Sequence, residues 1–205
     1  MTPEGVERAI HLGEDLVEQG IIDAKSRVDL LHSPKARARG TLEFIVKGAG
    51  LPSDEYFEVQ EIRSSDYADL QTFLTREKDL GLTLDDVARE HYENRELYHK
   101  SSHIVETHAN RRLRFYKFIS DLVLRRITAG ESFRQVLAVS HFEIMMHIID
   151  DIFGIKTFSS YMAPALGEYI ILDFYLTDES GVINMDIYFR DRNKQIRYDF
   201  ISRDF

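Results

Sequence analysis

The alternation of hydrophobic and polar positions predicts a helix at the start of the chain. Between residues 6 and 17 apolar side chains recur every three or four positions, which is the spacing of a helix with one buried face. Thr2 and Pro3 suit the N-cap and the first helical position, because a threonine oxygen can accept a free backbone N–H and proline has none to satisfy. We expect this helix to end near Gly20.

A strand, a tight turn and a second helix are predicted next. Val28–His32 has the composition of a short strand, and Ser33 and Pro34 form a second pair of N-cap and first helical residue. The helix that follows is expected to run to about residues 48–50. A weaker strand is predicted over residues 56–62.

The middle of the chain changes to helical periodicity. From Ser64 to Gly130 the segments are long, charged and poor in strand residues, and we interpret them as a helical insertion with one helix over residues 104–128. Residues 135–140 are almost continuously apolar, which is typical of a strand covered on both faces. His141 stands at the carboxyl end of that strand, before a helix predicted to end near Gly154.

The tail predicts three antiparallel strands, because hydrophobic and polar residues alternate in three runs, at residues 168–177, 182–189 and 195–200. The chain is therefore expected to form a single α/β domain over residues 1–205. Its architecture would be a mostly parallel sheet flanked by helices, with a helical insertion and C-terminal antiparallel strands.

Composition and charge exclude several classes of function. The 205 residues include no cysteine, which excludes thiol nucleophiles, thiolate metal sites and disulfides. The formal net charge of −9 disfavours binding to nucleic acids and to anionic membranes. No apolar run approaches the roughly 20 residues that span a bilayer, and the first residues lack the pattern of a secretory signal. We therefore expect a cytoplasmic protein.

Two strand-to-helix junctions hold candidate residues for chemistry. Arg37 lies near the beginning of the second helix, where the backbone amides favour an anion. His141 follows the later strand at its carboxyl end, where open α/β sheets bind ligands. The alternatives at these positions are a solvated surface arginine and a hydrogen-bonded structural histidine.

Four stretches resemble motifs of the histidine phosphatase superfamily, the phosphoglycerate-mutase-like proteins. Thr2–Ala9 resembles the "TPEG" helix of that family, and His32–Thr41 resembles its "SSP…RA…QT" turn. Val59–Ile62 is similar to an "L-x-E" segment, and Ala138–His141 resembles the "VSHG" end of a strand. The resemblance extends to about Gly154.

The resemblance implies a phosphohydrolase that acts on a small phosphorylated metabolite through a phosphohistidine. Arg37, His141 and Ser33 would bind the phosphoryl oxygens, and Glu61 would protonate the leaving oxygen, so that His141 and Glu61 are the implied catalytic residues. No metal or cofactor is implied, and the implied partner is a phosphorylated substrate or another anion. An unpaired edge of the tail strands could pair with a second copy to give a homodimer.

One departure from the family pattern concerns the nucleophile. The family begins with a strand ending in Arg-His-Gly, whose histidine is phosphorylated, whereas this sequence begins at Met1 within the next motif. Removing an interior strand leaves buried N–H and C=O groups unpaired at about 1–3 kcal/mol each, so either that strand lies upstream of Met1 or another segment, such as a tail strand, takes its place. We favour the upstream strand. Phe142 and Glu143 also replace the usual glycine after His141. The alternative function is that of a catalytically inactive relative, which would serve as a binding or scaffolding protein.

Two charged groups in the insertion admit other interpretations. Glu96, His99, His103 and Glu106 have spacings that would place them near one another on a helix, as in a metal site, but a solvated helix face explains them better. A basic group could attract an anionic substrate, and here too we favour a solvated face. Its members are Arg111, Arg112, Arg114, Lys117, Arg125 and Arg126.

Overall fold

The computed structural model of the chain describes residues 1–52, 55–64, 106, 108–129, 135–154, 167–199 and 201, together with residues 75, 78 and 81. The described elements, in chain order, are α1 (Pro3–Glu18), β1 (Val28–His32), α2 (Ala36–Ala49), β2 (Tyr56–Glu58), the 3₁₀ turn η1 (Gln60–Ile62), α3 (His108–Ala129), β3 (Gln135–Val139), α4 (Phe142–Phe153), β4 (Ile171–Leu176), β5 (Val182–Phe189) and β6 (Arg192–Asp199). None of the helices in these ranges is long and apolar enough to span a membrane.

The chain divides into two compact units. The first comprises residues 1–64, 118–141 and 166–168, and the second comprises residues 65–117, 142–165 and 169–205. Most of the predicted helical insertion, including Glu96, His99 and His103, lies outside the described residues. The expectation of a single domain stays a prediction.

The first unit is built on a three-stranded parallel sheet in the order β2-β1-β3. His32, the last residue of β1, lies opposite Glu58 and Val139, which are the last residues of β2 and β3. All three strands therefore end at one edge of the sheet. The predicted α/β architecture is confirmed, since this parallel sheet is flanked by helices and an antiparallel sheet forms separately in the tail.

Helices α1 and α2 pack against each other and against the sheet. Thr2 caps α1 as predicted, because its hydroxyl accepts the backbone N–H of Gly5 at 3.2 Å. The core they share with the sheet is formed by apolar side chains from both helices, the strands and the loop between α1 and β1. The fully buried members include Ala9, Leu16, Ile22, Leu30, Leu42, Ile45, Val46 and Ala49.

Two glycines allow the two helices to approach closely. A Cβ atom on Gly13 of α1 would overlap the backbone carbonyl of Ile45 in α2, and one on Gly48 of α2 would overlap the carbonyl of Ile10 in α1. Each helix thus presents a bare Cα to the backbone of the other, and any larger residue would force the helices apart.

Gly13→Ala is expected to lower the free energy of unfolding by about 1–3 kcal/mol, because the new methyl group has no space between the helices. Urea unfolding followed by circular dichroism measures this. Gly40→Ala is the matched control in α2, since the nearest atom to its added Cβ is Sδ of Met1 at 3.7 Å. Alanine there should be neutral or stabilise by up to about 1 kcal/mol through helix propensity. Equal effects at Gly13 and Gly40 would contradict the close-packing interpretation.

Three local predictions for the first unit are corrected by the structure. α2 begins at Ala36 with Lys35 as its N-cap, so Ser33 does not cap the helix and Pro34 is not its first residue. The strand predicted over residues 56–62 ends at Glu58 and gives way to η1. β3 is half-buried rather than covered on both faces along its length, with one exposed residue in its interior.

The second unit contains an antiparallel meander of β4, β5 and β6. One face of β5 is buried through Ile183, Met185, Ile187 and Phe189, and α4 packs against Phe189. The three tail strands are confirmed, but β6 begins at Arg192, because a two-residue turn replaces the longer loop predicted at residues 191–194. The first residue of this turn, Arg190, has a φ of 55°.

Two carboxylates face each other across β4 and β5. Asp173 lies directly opposite Asp186, and the pKa of Asp173 is raised, first by partial burial and then by the charge of Asp186. A raised carboxyl pKa means that the folded state binds the proton more tightly than the unfolded chain does. Stability is therefore gained as pH falls through the raised pKa, and at neutral pH the ionised pair is a destabilising contact.

Asp173→Asn is expected to stabilise the protein at neutral pH by a few tenths of a kcal/mol and by at most about 1 kcal/mol, which is the range for cross-strand pairs. Below the ordinary carboxyl pKa the gain should vanish, because Asp173 is then protonated in both the folded and the unfolded state. Urea unfolding at the two pH values tests this. Asp191→Asn, in the exposed turn, is the control and should change stability little at either pH.

The basic group on α3 is not a uniformly solvated face. Arg111 is buried with 1% of its surface exposed, and Arg114 forms a two-bond ion pair with Glu106 at 2.7 and 2.9 Å. The two side chains of this pair are less than a tenth exposed. Arg112 instead lies over the ring of Tyr116 at 5.8 Å. The prediction of a solvated face is therefore wrong for Arg111 and Arg114.

Candidate functional site

The carboxyl edge of the parallel sheet brings the predicted site residues of the first unit to one place. Ser33 directly follows β1, and its backbone N–H continues the ladder to Val139 of β3 at 3.0 Å. His141 comes two residues after Val139, and Arg37 lies in the first turn of α2. Strand ends and helix N-termini of an open α/β sheet meet at this edge, which is where such folds bind ligands.

His141 is held through both nitrogens of its ring. Its Nε2 lies 2.7 Å from Oγ of Ser33, and its Nδ1 lies 3.1 Å from Nη2 of Arg37. Ser33 is completely buried and His141 is 7% exposed. The two junctions that were predicted separately therefore meet in direct contact.

The donors and acceptors in this group determine the tautomer of His141. A guanidinium group can only donate hydrogen bonds, so Arg37 donates and Nδ1 of His141 accepts. In the neutral ring the proton is then on Nε2, which donates to the hydroxyl oxygen of Ser33. His141 thus has a fixed orientation and presents its ring beside a cationic group.

Arg37 differs from its basic neighbours in α2. The guanidinium of Arg39 is paired with Glu43 at 3.0 Å. Arg37 is exposed, and within the described part of the chain its guanidinium contacts His141 and no carboxylate. An exposed guanidinium that is oriented by a neutral partner retains donors and a positive charge for an oxyanion.

Glu61 is placed at the same edge by the backbone around it. It lies in η1, half-buried, rather than in the predicted strand. Val59, just before η1, donates its N–H to the carbonyl of His32 at 2.8 Å. The hydroxyl of Ser140 donates to the carbonyl of Ile62 at 2.8 Å.

The sequence interpretation assigned no structural role to two polar residues at this edge. His32 is buried, and its Nδ1 donates to the carbonyl of Ser33 at 2.8 Å. Ser140 ties η1 to the end of β3. Their position at strand ends, next to Ser33 and His141, was the available signal. Among the residues that the structure describes, no group of three or more His, Asp or Glu side chains could hold a metal ion.

The comparisons with known proteins agree with this architecture. The structure is similar to a phosphoglycerate mutase from Bacillus anthracis str. Sterne, with a TM-score of 0.56, 16% identity, and coverage of 98% of this chain and 84% of the other. It is also similar to "Mycobacterial hydrolase 1", with a TM-score of 0.58, 15% identity, and coverage of 87% and 79% respectively. At these identities the likeness shows the fold alone. No curated protein matches the chain.

The sequence itself carries the family assignment. The profile of the histidine phosphatase superfamily (branch 1) matches residues 1–175, which include β1, β3 and the contact between Arg37 and His141. Because this profile matches most of the chain, the chain belongs to the histidine phosphatase superfamily.

Proposed function

We propose that the protein is a phosphohydrolase that removes the phosphoryl group from a small phosphorylated metabolite through a phosphohistidine. The observation that carries this proposal is the contact between Arg37 and His141, in which a buried imidazole orients an exposed guanidinium that has no carboxylate partner among the described residues. Such an arrangement favours the equatorial oxygens of a transferring phosphoryl group, which carry most of its negative charge.

Each side chain has a role in the proposed reaction. Arg37 neutralises charge on the phosphoryl oxygens, and the Nε2–H of His141 is available to them once it turns from Ser33. Ser33 holds the imidazole in place, and its expected contact with the phosphoryl oxygens stays a prediction. Glu61 gives its proton to the leaving oxygen in the first step and takes a proton from water in the second.

The proposed chemistry has two displacements. A histidine nitrogen attacks phosphorus, a P–N bond forms, and the P–O bond to the alcohol breaks. Water then attacks the phosphohistidine, the P–N bond breaks, and inorganic phosphate leaves. In the proposed reaction the attacking histidine is not His141 but belongs to a segment encoded ahead of Met1, as the motifs in the sequence suggest.

A phosphatase assay tests this function. The 205-residue chain and the protein expressed from the complete reading frame are each given an aryl phosphate, and acid-labile phosphate on histidine is measured by mass spectrometry. We expect turnover and a phosphohistidine in the second protein only. Turnover by the 205-residue chain, without the upstream segment, would refute the proposed origin of the nucleophile. Phosphate binding without turnover in either protein would instead support the inactive binding protein.

A further inference from the structure

Ser140 lies beside His141 but contacts the turn that carries Glu61. We propose that Ser140 is a positioning residue, which holds Glu61 close to the phosphoryl group that Arg37 and His141 would bind. This inference rests on the proposed function, and it concerns the support of the proton donor rather than the binding of the anion.

The turn η1 has little structure of its own. It contains a single 3₁₀ turn of three residues, and such short turns depend on external contacts. The hydroxyl of Ser140 donates to the carbonyl of Ile62 at 2.8 Å, directly after Glu61, and the side chain of Ile62 is 1% exposed. Backbone and side chain of the residue next to Glu61 are therefore both fixed.

The other end of η1 is fixed by β1. The N–H of Val59 donates to the carbonyl of His32 at 2.8 Å. His32 directly precedes Ser33, and Ser140 directly precedes His141. The turn η1 is therefore hydrogen-bonded at its two ends to the residues that precede the hydrogen-bonded pair of Ser33 and His141. A shift of either strand end would move the proton donor together with the imidazole.

The expected role is specific to proton transfer. Catalytic groups must be held within about 0.5 Å of their working geometry, and a displacement of about 1 Å can lower a rate by about a hundredfold. An alkyl phosphate has a poor leaving group that needs a proton, whereas the phenolate of an acidic aryl phosphate leaves without one. Loss of the Ser140 hydroxyl should therefore matter for the first substrate and not for the second.

Ser140→Ala and Ser140→Thr, made in the protein from the complete reading frame, test the inference. With an alkyl phosphate we expect Ser140→Ala to lower kcat by about 10- to 100-fold and to change KM less than about twofold. With p-nitrophenyl phosphate we expect kcat to change less than about threefold. Ser140→Thr should keep the turnover of the alkyl phosphate that Ser140→Ala loses, because threonine retains the hydroxyl.

Controls separate the possible failures. Ser26→Ala removes a hydroxyl that bonds Asp23 at 2.8 Å in an exposed loop, and it should leave both activities unchanged. Equal losses on both substrates, or no loss, in Ser140→Ala would overturn the positioning role, provided that Glu61→Gln shows the substrate-dependent loss. If Glu61→Gln does not show it, or if the wild type turns over neither substrate, the proposed function fails and this inference fails with it.

Discussion

Arg37→Ala is expected to weaken the binding of inorganic phosphate by about 10- to 100-fold, because the lost contacts are charge-assisted hydrogen bonds worth about 1.5–3 kcal/mol. The loss in kcat/KM for a phosphate ester should be at least as large, since charge on the phosphoryl oxygens is best matched in the transition state. Calorimetric titration with phosphate measures the first quantity without requiring turnover.

Arg39→Ala is the matched control for this experiment. Arg39 lies in the same helix, and its guanidinium is paired with Glu43, so its removal should change phosphate affinity less than about twofold. Arg37→Lys should give an intermediate affinity, because an ammonium keeps the charge but lacks the planar pair of donors. Equal losses in Arg37→Ala and Arg39→Ala would indicate a general effect of surface charge and would remove the basis for the anion site.

The strand ends show how far sequence periodicity predicts this fold. β1 has the predicted bounds, Val28–His32, because its residue types and the following turn coincide. The second strand was predicted to reach Ile62, yet β2 stops at Glu58. Glu58 pairs with His32, which is the last residue of β1, so beyond Glu58 the strand β1 offers β2 no further partner. Alternation within one segment contains no information about where the neighbouring strand ends.

Ser33 shows a different limit. A serine followed by proline is a local signal for a helix N-cap, but here the hydroxyl bonds His141, 108 positions away in sequence. Its contact with the N–H of Lys35 is a long 3.4 Å, and α2 starts only at Ala36. A tertiary hydrogen bond to a buried imidazole has replaced the local cap. Capping statistics describe only the local alternative, so they could not predict this outcome.

The sequence indicated that the two strand-to-helix junctions form one site, but it did not predict which side chains contact each other there. The resemblance implied that Arg37, His141 and Glu61 act on one phosphoryl group, and the structure brings Arg37 and His141 to 3.1 Å. The roles of these residues stay predictions. The tautomer of His141 follows only from knowing that Arg37 and Ser33 contact opposite nitrogens. The burial of single side chains could not be predicted from the sequence either. Arg111 has basic neighbours in the sequence, as a surface residue would, and yet it is only 1% exposed.

His141→Ala is expected to lower both activity and stability, and His141→Gln should separate the two. Alanine leaves the buried hydroxyl of Ser33 without its partner and opens a cavity, which should reduce the free energy of unfolding by about 2–4 kcal/mol.

A glutamine amide can accept from Arg37 and donate to Ser33, so His141→Gln should keep most of the stability. It should still lose about a hundredfold in kcat/KM, because an amide cannot take the imidazole's place beside the phosphoryl group. His11→Ala, on the exposed face of α1, should change stability by less than about 0.5 kcal/mol and leave activity unaltered. Wild-type turnover by a well-folded His141→Gln protein would show that His141 is a structural imidazole. The anion site would then reduce to Arg37, and the contact between Arg37 and His141 would no longer support catalysis.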